Sequence, residues 1–333
     1  GGRGARAAAG RLPAACRGRH PRRPPRERIL IRIVVASGKG GTGKTTVATS
    51  LALAAGPGTR LLDCDVEAPN AALFLAPEWQ EEAEVTTPRP VIDETRCTRC
   101  GRCAEVCEYH ALAVVGLRVL VFPALCHGCG SCLRVCPEGA ISERQHGIGR
   151  LSTGVTAGGC RLSQGLMHVG EPMATPIVRA LKRWPPAFAP AVPGIDCTLE
   201  IRDAPPGASC PVVETMRGAD YLLLVTEPTP FGLHDLRQVV PIATELGIPA
   251  GVVINREGIG DAAVAAYCEE AGLPVLMRIP MERRFAEAIA AGRSLVEAAP
   301  EYGPAFRELL ATIRATVAPA APVALAAAGG GGR

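Results

Sequence analysis

The chain has 333 residues, 47% of them hydrophobic, which supplies a sizeable core for one or two domains and excludes disorder throughout. A net charge of +4, with arginines crowded into the first 28 residues, argues against a nucleic-acid partner, and the longest apolar stretch, 111–126, is broken by Arg118 and Pro123 and is too short to span a membrane. Eight of the 14 cysteines fall within 40 residues in a repeated close spacing, which reads as metal ligation in a reducing, cytoplasmic setting rather than as a secreted disulfide scaffold.

In chain order, residues 1–28 are Arg, Ala, Gly and Pro without apolar periodicity and read as a disordered tail. Ile29 to Ala36 is a continuous apolar strand. It runs into Ser37-Gly38-Lys39-Gly40-Gly41-Thr42-Gly43-Lys44-Thr45-Thr46, which satisfies G-x4-G-K-T between a strand and the helix expected over Lys44 to Ala55. Glycines there let backbone N–H groups curl around phosphate, Lys44 adds charge, and the Thr45 hydroxyl suits Mg²⁺. A second strand, Arg60 to Asp63, leads into Cys64-Asp65-Val66-Glu67-Ala68-Pro69-Asn70.

The segment Val91 to Ile148 interrupts the series as a small inserted domain with no long helix, dividing the larger domain into 29–90 and 149–317. Within it Cys97, Cys100, Cys103 and Cys107 are spaced C-x2-C-x2-C-x3-C, and Cys126, Cys129, Cys132 and Cys136 repeat the spacing, followed by Pro137. Zinc sites pair two C-x2-C units instead of strings of four, so iron–sulfur clusters are expected. Cys160 follows in a Gly-rich loop.

Further strands are expected at Thr198 to Arg202, Tyr221 to Thr226, Ala250 to Asn255 and Val275 to Ile279, with helices at Leu233 to Leu246 and Asp261 to Ala271. Arg202 departs from an apolar run and argues against full burial of its strand. A carboxylate at a strand end, as at Asp63 and Asp203, can also cap the next helix. Cys64, Cys197 and Cys268 read as small buried hydrophobes and Cys16 lies in the tail, while 318–333 is a second low-complexity tail. Alternating strands and helices give an α/β, doubly wound, mainly parallel sheet.

A second lysine inside the phosphate loop, Lys39, resembles the deviant Walker A of the MinD/ParA/nitrogenase-iron-protein ATPases. Matching segments follow in order at 61–70, at Asp203-Ala204-Pro205-Pro206-Gly207 and at Val253-Ile254-Asn255-Arg256, so the likeness spans nearly all of 29–317. It implies a cytoplasmic ATPase that dimerises with itself or a related chain. Lys39 would cross to the partner's nucleotide, Asp65 in switch I would orient the attacking water and join the Mg²⁺ shell, and Asp203 would be the Walker B acid. ATP would be held by Gly38, Gly40, Gly41, Thr42, Gly43, Lys44, Thr45 and Thr46, with Gly207 sensing the γ-phosphate and Asn255 and Arg256 beside the base.

The cysteine repeat resembles a bacterial two-cluster ferredoxin, a small α+β unit. On that pattern one [4Fe–4S] cluster takes Cys97, Cys100, Cys103 and Cys136, and the other takes Cys126, Cys129, Cys132 and Cys107. Glu108 stands where that family usually has Pro. Together these resemblances imply an ATPase whose nucleotide state gates electron transfer to a redox partner or metalloenzyme. The alternative is a carrier that delivers a cluster or metal to a client, for which Cys160 and Cys210 would form a further metal site, Cys210 lying seven residues after Asp203.

Overall fold

The computed structural model describes residues 30–318, so the expected tails, apart from Ala318, together with Cys16 and Ile29 lie outside the described residues. Its strands are β1 (Ile31–Ala36), β2 (Thr59–Asp63), β3 (Glu78–Ile92), β4 (Leu112–Val115), β5 (Arg118–Val121), β6 (Ile141–Val155), β7 (Arg161–Met167), β8 (Leu199–Asp203), β9 (Tyr221–Thr226), β10 (Ala250–Glu257) and β11 (Val275–Pro280). Nine of them form one sheet in the order β11-β10-β9-β1-β8-β2-β7-β6-β3. From β11 to β7 every pairing is parallel, and β6 and β3 add on antiparallel.

Successive side chains of β1 point to opposite faces, and both faces are covered. Ile33 and Val35 pack with Leu51, Leu61, Ile201 and Phe306 under the helices Lys44–Ala55 and Tyr302–Val317. Val34 and Ala36 pack with Val213, Leu224 and Leu236 under the helices Cys210–Met216 and Pro230–Leu246. A strand buried on both faces reads as an unbroken apolar run, which is why β1 and β9 are legible. The helix Pro230–Leu246 begins three residues before its expected start. Pro230 tolerates the first helical position, and the Thr229 hydroxyl accepts a hydrogen bond from the Gly232 N–H at 3.0 Å.

Full burial of β8 corrects the expectation drawn from Arg202. All five residues are buried, and the Arg202 guanidinium pairs with Glu200 at 2.5 Å and donates to the carbonyls of Thr215 and Arg217, each at 2.9 Å.

β3, β6 and β7 have no counterpart among the expected strands. β3 and β6 are each 15 residues long and form an arm in which Ile92 pairs with Ile141 at one end and Glu78 with Val155 at the other. Both expected limits of the insertion, Val91 and Ile148, therefore lie inside strands of the main sheet. β7 pairs with β6 over 149–155 only, so the remaining length of the arm projects past the end of β7. That is the end where β1, β2 and β8 terminate.

Residues 93–140 sit on the arm, with the hairpin β4–β5 and two short helices, Arg102–Glu105 and Ser131–Val135. The two cysteine runs fold alike. Arg99 and Gly128 both take positive φ, 61° and 63°, as do Gly101 and Gly130, 82° and 73°, and His110 and Gly139, 51° and 56°. The Ala111 N–H points to the Cys107 sulfur at 3.2 Å, and the Ala140 N–H to the Cys136 sulfur at 3.3 Å. Glu108 thus occupies the same turn that Pro137 does.

Candidate functional site

The loop after β1 carries the phosphate-binding pattern into the helix Lys44–Ala55. Gly43 adopts φ +91°, and a Cβ on Gly40 or Gly41 would meet nothing within 4 Å, so this backbone is left open toward a ligand. Gly38 is packed instead: a Cβ there would lie 2.5 Å from the carbonyl oxygen of Asp235, in the first turns of the helix Pro230–Leu246. The Gly207 N–H, at φ +91°, donates to the Ser37 carbonyl at 3.0 Å and brings the segment after β8 against the loop.

Three carboxylates converge beside it. Asp63 and Asp203 are register partners at the ends of β2 and β8, and Asp65 follows two residues on. The Thr45 hydroxyl donates to Asp203 Oδ2 at 2.5 Å, while Asp203 Oδ1, buried, has no hydrogen-bond partner. Burial, then the charge of Asp63, pushes Asp203 up to about 8. Burial likewise raises Asp65, with Lys44 opposing. An orphaned carboxylate oxygen next to a threonine hydroxyl suits a divalent cation that keeps most of its waters and takes phosphate oxygens as further ligands.

Asp63 has a different task. Its Oδ2 accepts the N–H groups of Asn70 and Ala71 at 2.9 and 3.0 Å, and its Oδ1 accepts that of Asp65 at 3.1 Å. It therefore fixes the turn that presents Asp65 and caps the short helix Ala71–Leu75. Asn255 Nδ2 donates to the Thr42 carbonyl at 2.8 Å, bracing the loop from the end of β10. Asn255 and Arg256 line the same cleft as Gly40, Gly41, Gly43 to Thr46 and Asp65.

The Lys39 ammonium is held within its own chain by Glu227, 5.7 Å from the centroid of the exposed Phe231 ring. Glu227 also takes Arg256 at 3.0 Å. Burial would raise Glu227, but Lys39 and Arg256 hold it below the usual carboxylate range. Glu227 was not among the expected site residues. Its signal was a charge placed just after the apolar run of β9, at the carboxyl end of a parallel strand where ligands gather in such sheets.

The cysteines fall into two recesses. Cys97, Cys100, Cys103 and Cys136 line one with Ile92 and Ile141, and Cys107, Cys126, Cys129 and Cys132 line the other with Tyr109 and His127, whose rings stack 3.5 Å apart. Each recess thus takes three sulfurs from one loop and the last cysteine of the other loop. Among the described residues, no three His, Cys, Asp or Glu side chains converge closely enough to hold a single metal ion.

Cys160 and Cys210 do not meet. Cys160 precedes β7, at the starting end of the parallel strands, whereas Cys210 opens a helix beyond their finishing end. Cys160 is packed in the main core, and burial pushes its thiol up to about 12. No helix among the described residues is long and apolar enough to cross a membrane.

A family model described as the CobQ/CobB/MinD/ParA nucleotide binding domain matches residues 33–296. An uncharacterized protein of Methanocaldococcus jannaschii is 31% identical over 276 residues, covering 80% of this chain and 91% of its own. The cell division ATPase MinD of Pyrococcus furiosus superposes with a TM-score of 0.51 at 20% identity, over 86% of this chain and 99% of that one. The septum site-determining protein MinD of Pyrococcus horikoshii, complexed with Mg-ADP, gives 0.51 at 18% identity, over 87% and 98%. At these identities the solved structures establish the fold alone.

Proposed function

The chain belongs to the CobQ/CobB/MinD/ParA nucleotide-binding family, and from that premise we propose that it is an ATP-hydrolysing iron–sulfur protein whose nucleotide state gates electron transfer to a redox partner or metalloenzyme. Bound [4Fe–4S] clusters would supply one-electron exchange at potentials set by burial and by hydrogen bonds to sulfur. The rest of the task falls to the chain itself.

The phosphate loop, Gly38 to Thr46, would cradle the ATP phosphates on its N–H groups, with Lys44 neutralising their charge. Thr45, Asp203 and Asp65 would face Mg²⁺, and Asp65 would also orient the attacking water, held for this by the bonds of Asp63. Gly207 would carry the response of the segment after Asp203, while Asn255 and Arg256 border the base. Lys39, kept in place by Glu227 within one chain, would be released to a partner's nucleotide on dimerisation.

The observation that carries this reading is the position of the cysteines. Two recesses of four sit on an arm that leaves the sheet at the same end as the phosphate loop and Asp203. Each gathers four cysteines, the number of thiolates that holds a [4Fe–4S] cluster, with a backbone N–H aimed at the sulfur of Cys107 in one and Cys136 in the other. We read the insertion as a ferredoxin-like domain between the two parts of the nucleotide-binding domain. Because Cys160 and Cys210 lie apart, cluster carriage through them is not proposed.

The test is ATP hydrolysis by anaerobically prepared, iron-loaded protein, reduced with dithionite or oxidised. Hydrolysis whose rate differs between the two redox states supports the reading. Equal rates, or none in either state, contradict it.

A further inference from the structure

We propose that Arg89 is a positioning residue that couples switch I to one of the two recesses, making the recess of Cys107, Cys126, Cys129 and Cys132 the one that answers to nucleotide. This rests on the reading above that nucleotide state acts on the cysteine-bearing unit, and it assigns the side on which it acts.

The connection begins one residue from Asp65. Val66 is buried in a cluster with Val85 and Ile148, the residues at the root of the arm, and with Ile177. Its carbonyl accepts the Met167 N–H at 2.8 Å, and the next N–H, that of His168, donates to the Ile148 carbonyl at 2.9 Å. Switch I is thus packed and hydrogen-bonded to the place where the arm leaves the sheet. A few residues on, Glu171 Oε1 faces His146 Nε2 at 2.7 Å, and its Oε2 takes Arg89 Nη2 at 3.4 Å. The other arm of the Arg89 guanidinium donates to the carbonyl of Cys126.

Arg89 is 7% exposed, so neither end of this strap can let go without leaving a buried cation poorly paired. The loop it holds is also seated flush on β3. A Cβ on Gly128, at φ +63°, would lie 2.8 Å from the Pro88 carbonyl. Packed interfaces of this kind shift between discrete arrangements rather than deforming smoothly, so a displacement of Val66 has a route to residues 126–130.

The first recess sits on the arm's end pair, Ile92 and Ile141, and among the described residues it has no side-chain tether of this kind to residues 166–171. Arg96 donates to the Glu138 carbonyl at 2.7 Å and Arg99 to that of Leu117 at 2.6 Å, both inside residues 93–140. The counterpart of Gly128 in that loop is Arg99, so a side chain finds room where a Cβ on Gly128 would meet the Pro88 carbonyl.

The experiment is amide hydrogen exchange on the iron-loaded full chain with Mg·ADP and with a non-hydrolysable Mg·ATP analogue, comparing residues 126–132 with 97–103. Expected is a change of about fivefold or more in 126–132 between the two nucleotides, with 97–103 unchanged. Glu171→Gln and Arg89→Gln should each abolish the difference while leaving nucleotide affinity intact, and the double variant should do no more than either single one. Glu171→Gln removes the charge but leaves an amide oxygen that can still accept from Arg89, so it is the milder of the two variants, and far-ultraviolet circular dichroism checks that each variant keeps the fold. A difference that persists in Glu171→Gln, or one equal in both segments, overturns the coupling while leaving nucleotide gating standing. No difference anywhere in the wild-type protein overturns both.

Discussion

Glu200, the second residue of β8, is buried among three guanidinium groups. Arg60 and Arg202 contact it directly, and Arg32 approaches to 3.6 Å. Burial would raise its carboxyl, but Arg202, Arg60 and Arg32 hold it below the usual range. Removing this anion takes away the carboxylate that the buried guanidinium groups of Arg60 and Arg202 contact, so Glu200→Gln is expected to cost about 3–5 kcal/mol in urea unfolding. A loss under about 1 kcal/mol would mean the group behaves as an exposed pair. Lys182 offers a pH test. Burial, then Arg202, pushes it from 10.5 down to about 8, with Glu214 opposing. Between those values the unfolded chain holds a proton that the folded chain has lost, so stability from this group rises with pH across about 8 to 10.5 and is flat below. Lys182→Met should remove that rise in a comparison of unfolding midpoints at pH 8 and 10, and an unchanged slope would assign it elsewhere.

At the scale of elements, the phosphate loop depends on a close approach that no side chain can share. Gly38→Ala would place a Cβ 2.5 Å from the carbonyl oxygen and 2.6 Å from the carbonyl carbon of Asp235. Backbone there cannot step aside, so nucleotide binding measured by calorimetry should be lost while the far-ultraviolet circular dichroism is kept. Binding within about threefold of wild type would show that the loop has room. The recesses predict a different experiment. Cys136→Ser should remove the cluster shared with Cys97, Cys100 and Cys103 and lower iron from about eight to about four per chain. Loss of all iron would show that the two recesses do not fill independently.

These elements were unequally legible. β1, β9 and the helix Lys44–Ala55 follow from apolar runs and the glycine pattern, and the likeness of the cysteine repeat to a two-cluster ferredoxin implies the same grouping of cysteines that lines the two recesses. β3 was hidden because residues 78–84 are mostly exposed and acidic on the sheet's edge, where no face needs to be apolar. Arg202 misled for a related reason. A charge is compatible with burial when its partners are near in space, and besides Glu200 the Arg202 guanidinium is held by the carbonyls of Thr215 and Arg217, 13 and 15 residues on, which no side chain in the sequence signals. Arg89 and Glu171, 82 residues apart, carried no signal at all until the arm brought them together.

On the scale of the whole molecule, the parallel strands deliver the phosphate loop, the switch I turn, Asp203 and the projecting arm to one end of the sheet. The remaining strand ends, where Cys160 is packed, carry none of these. A nucleotide site and the proposed cluster-bearing unit placed on the same end can influence each other through the switch I turn, residues 167–171 and the arm, without rearrangement of the parallel strands. The most direct measurement is electron paramagnetic resonance of the dithionite-reduced, iron-loaded protein, titrated for midpoint potential with Mg·ADP and with Mg·ATP. Nucleotide gating predicts that the signal or the potential differs between the two nucleotides and that Lys39→Ala abolishes the difference. Identical spectra and potentials with both nucleotides, in protein shown to bind them, would contradict it.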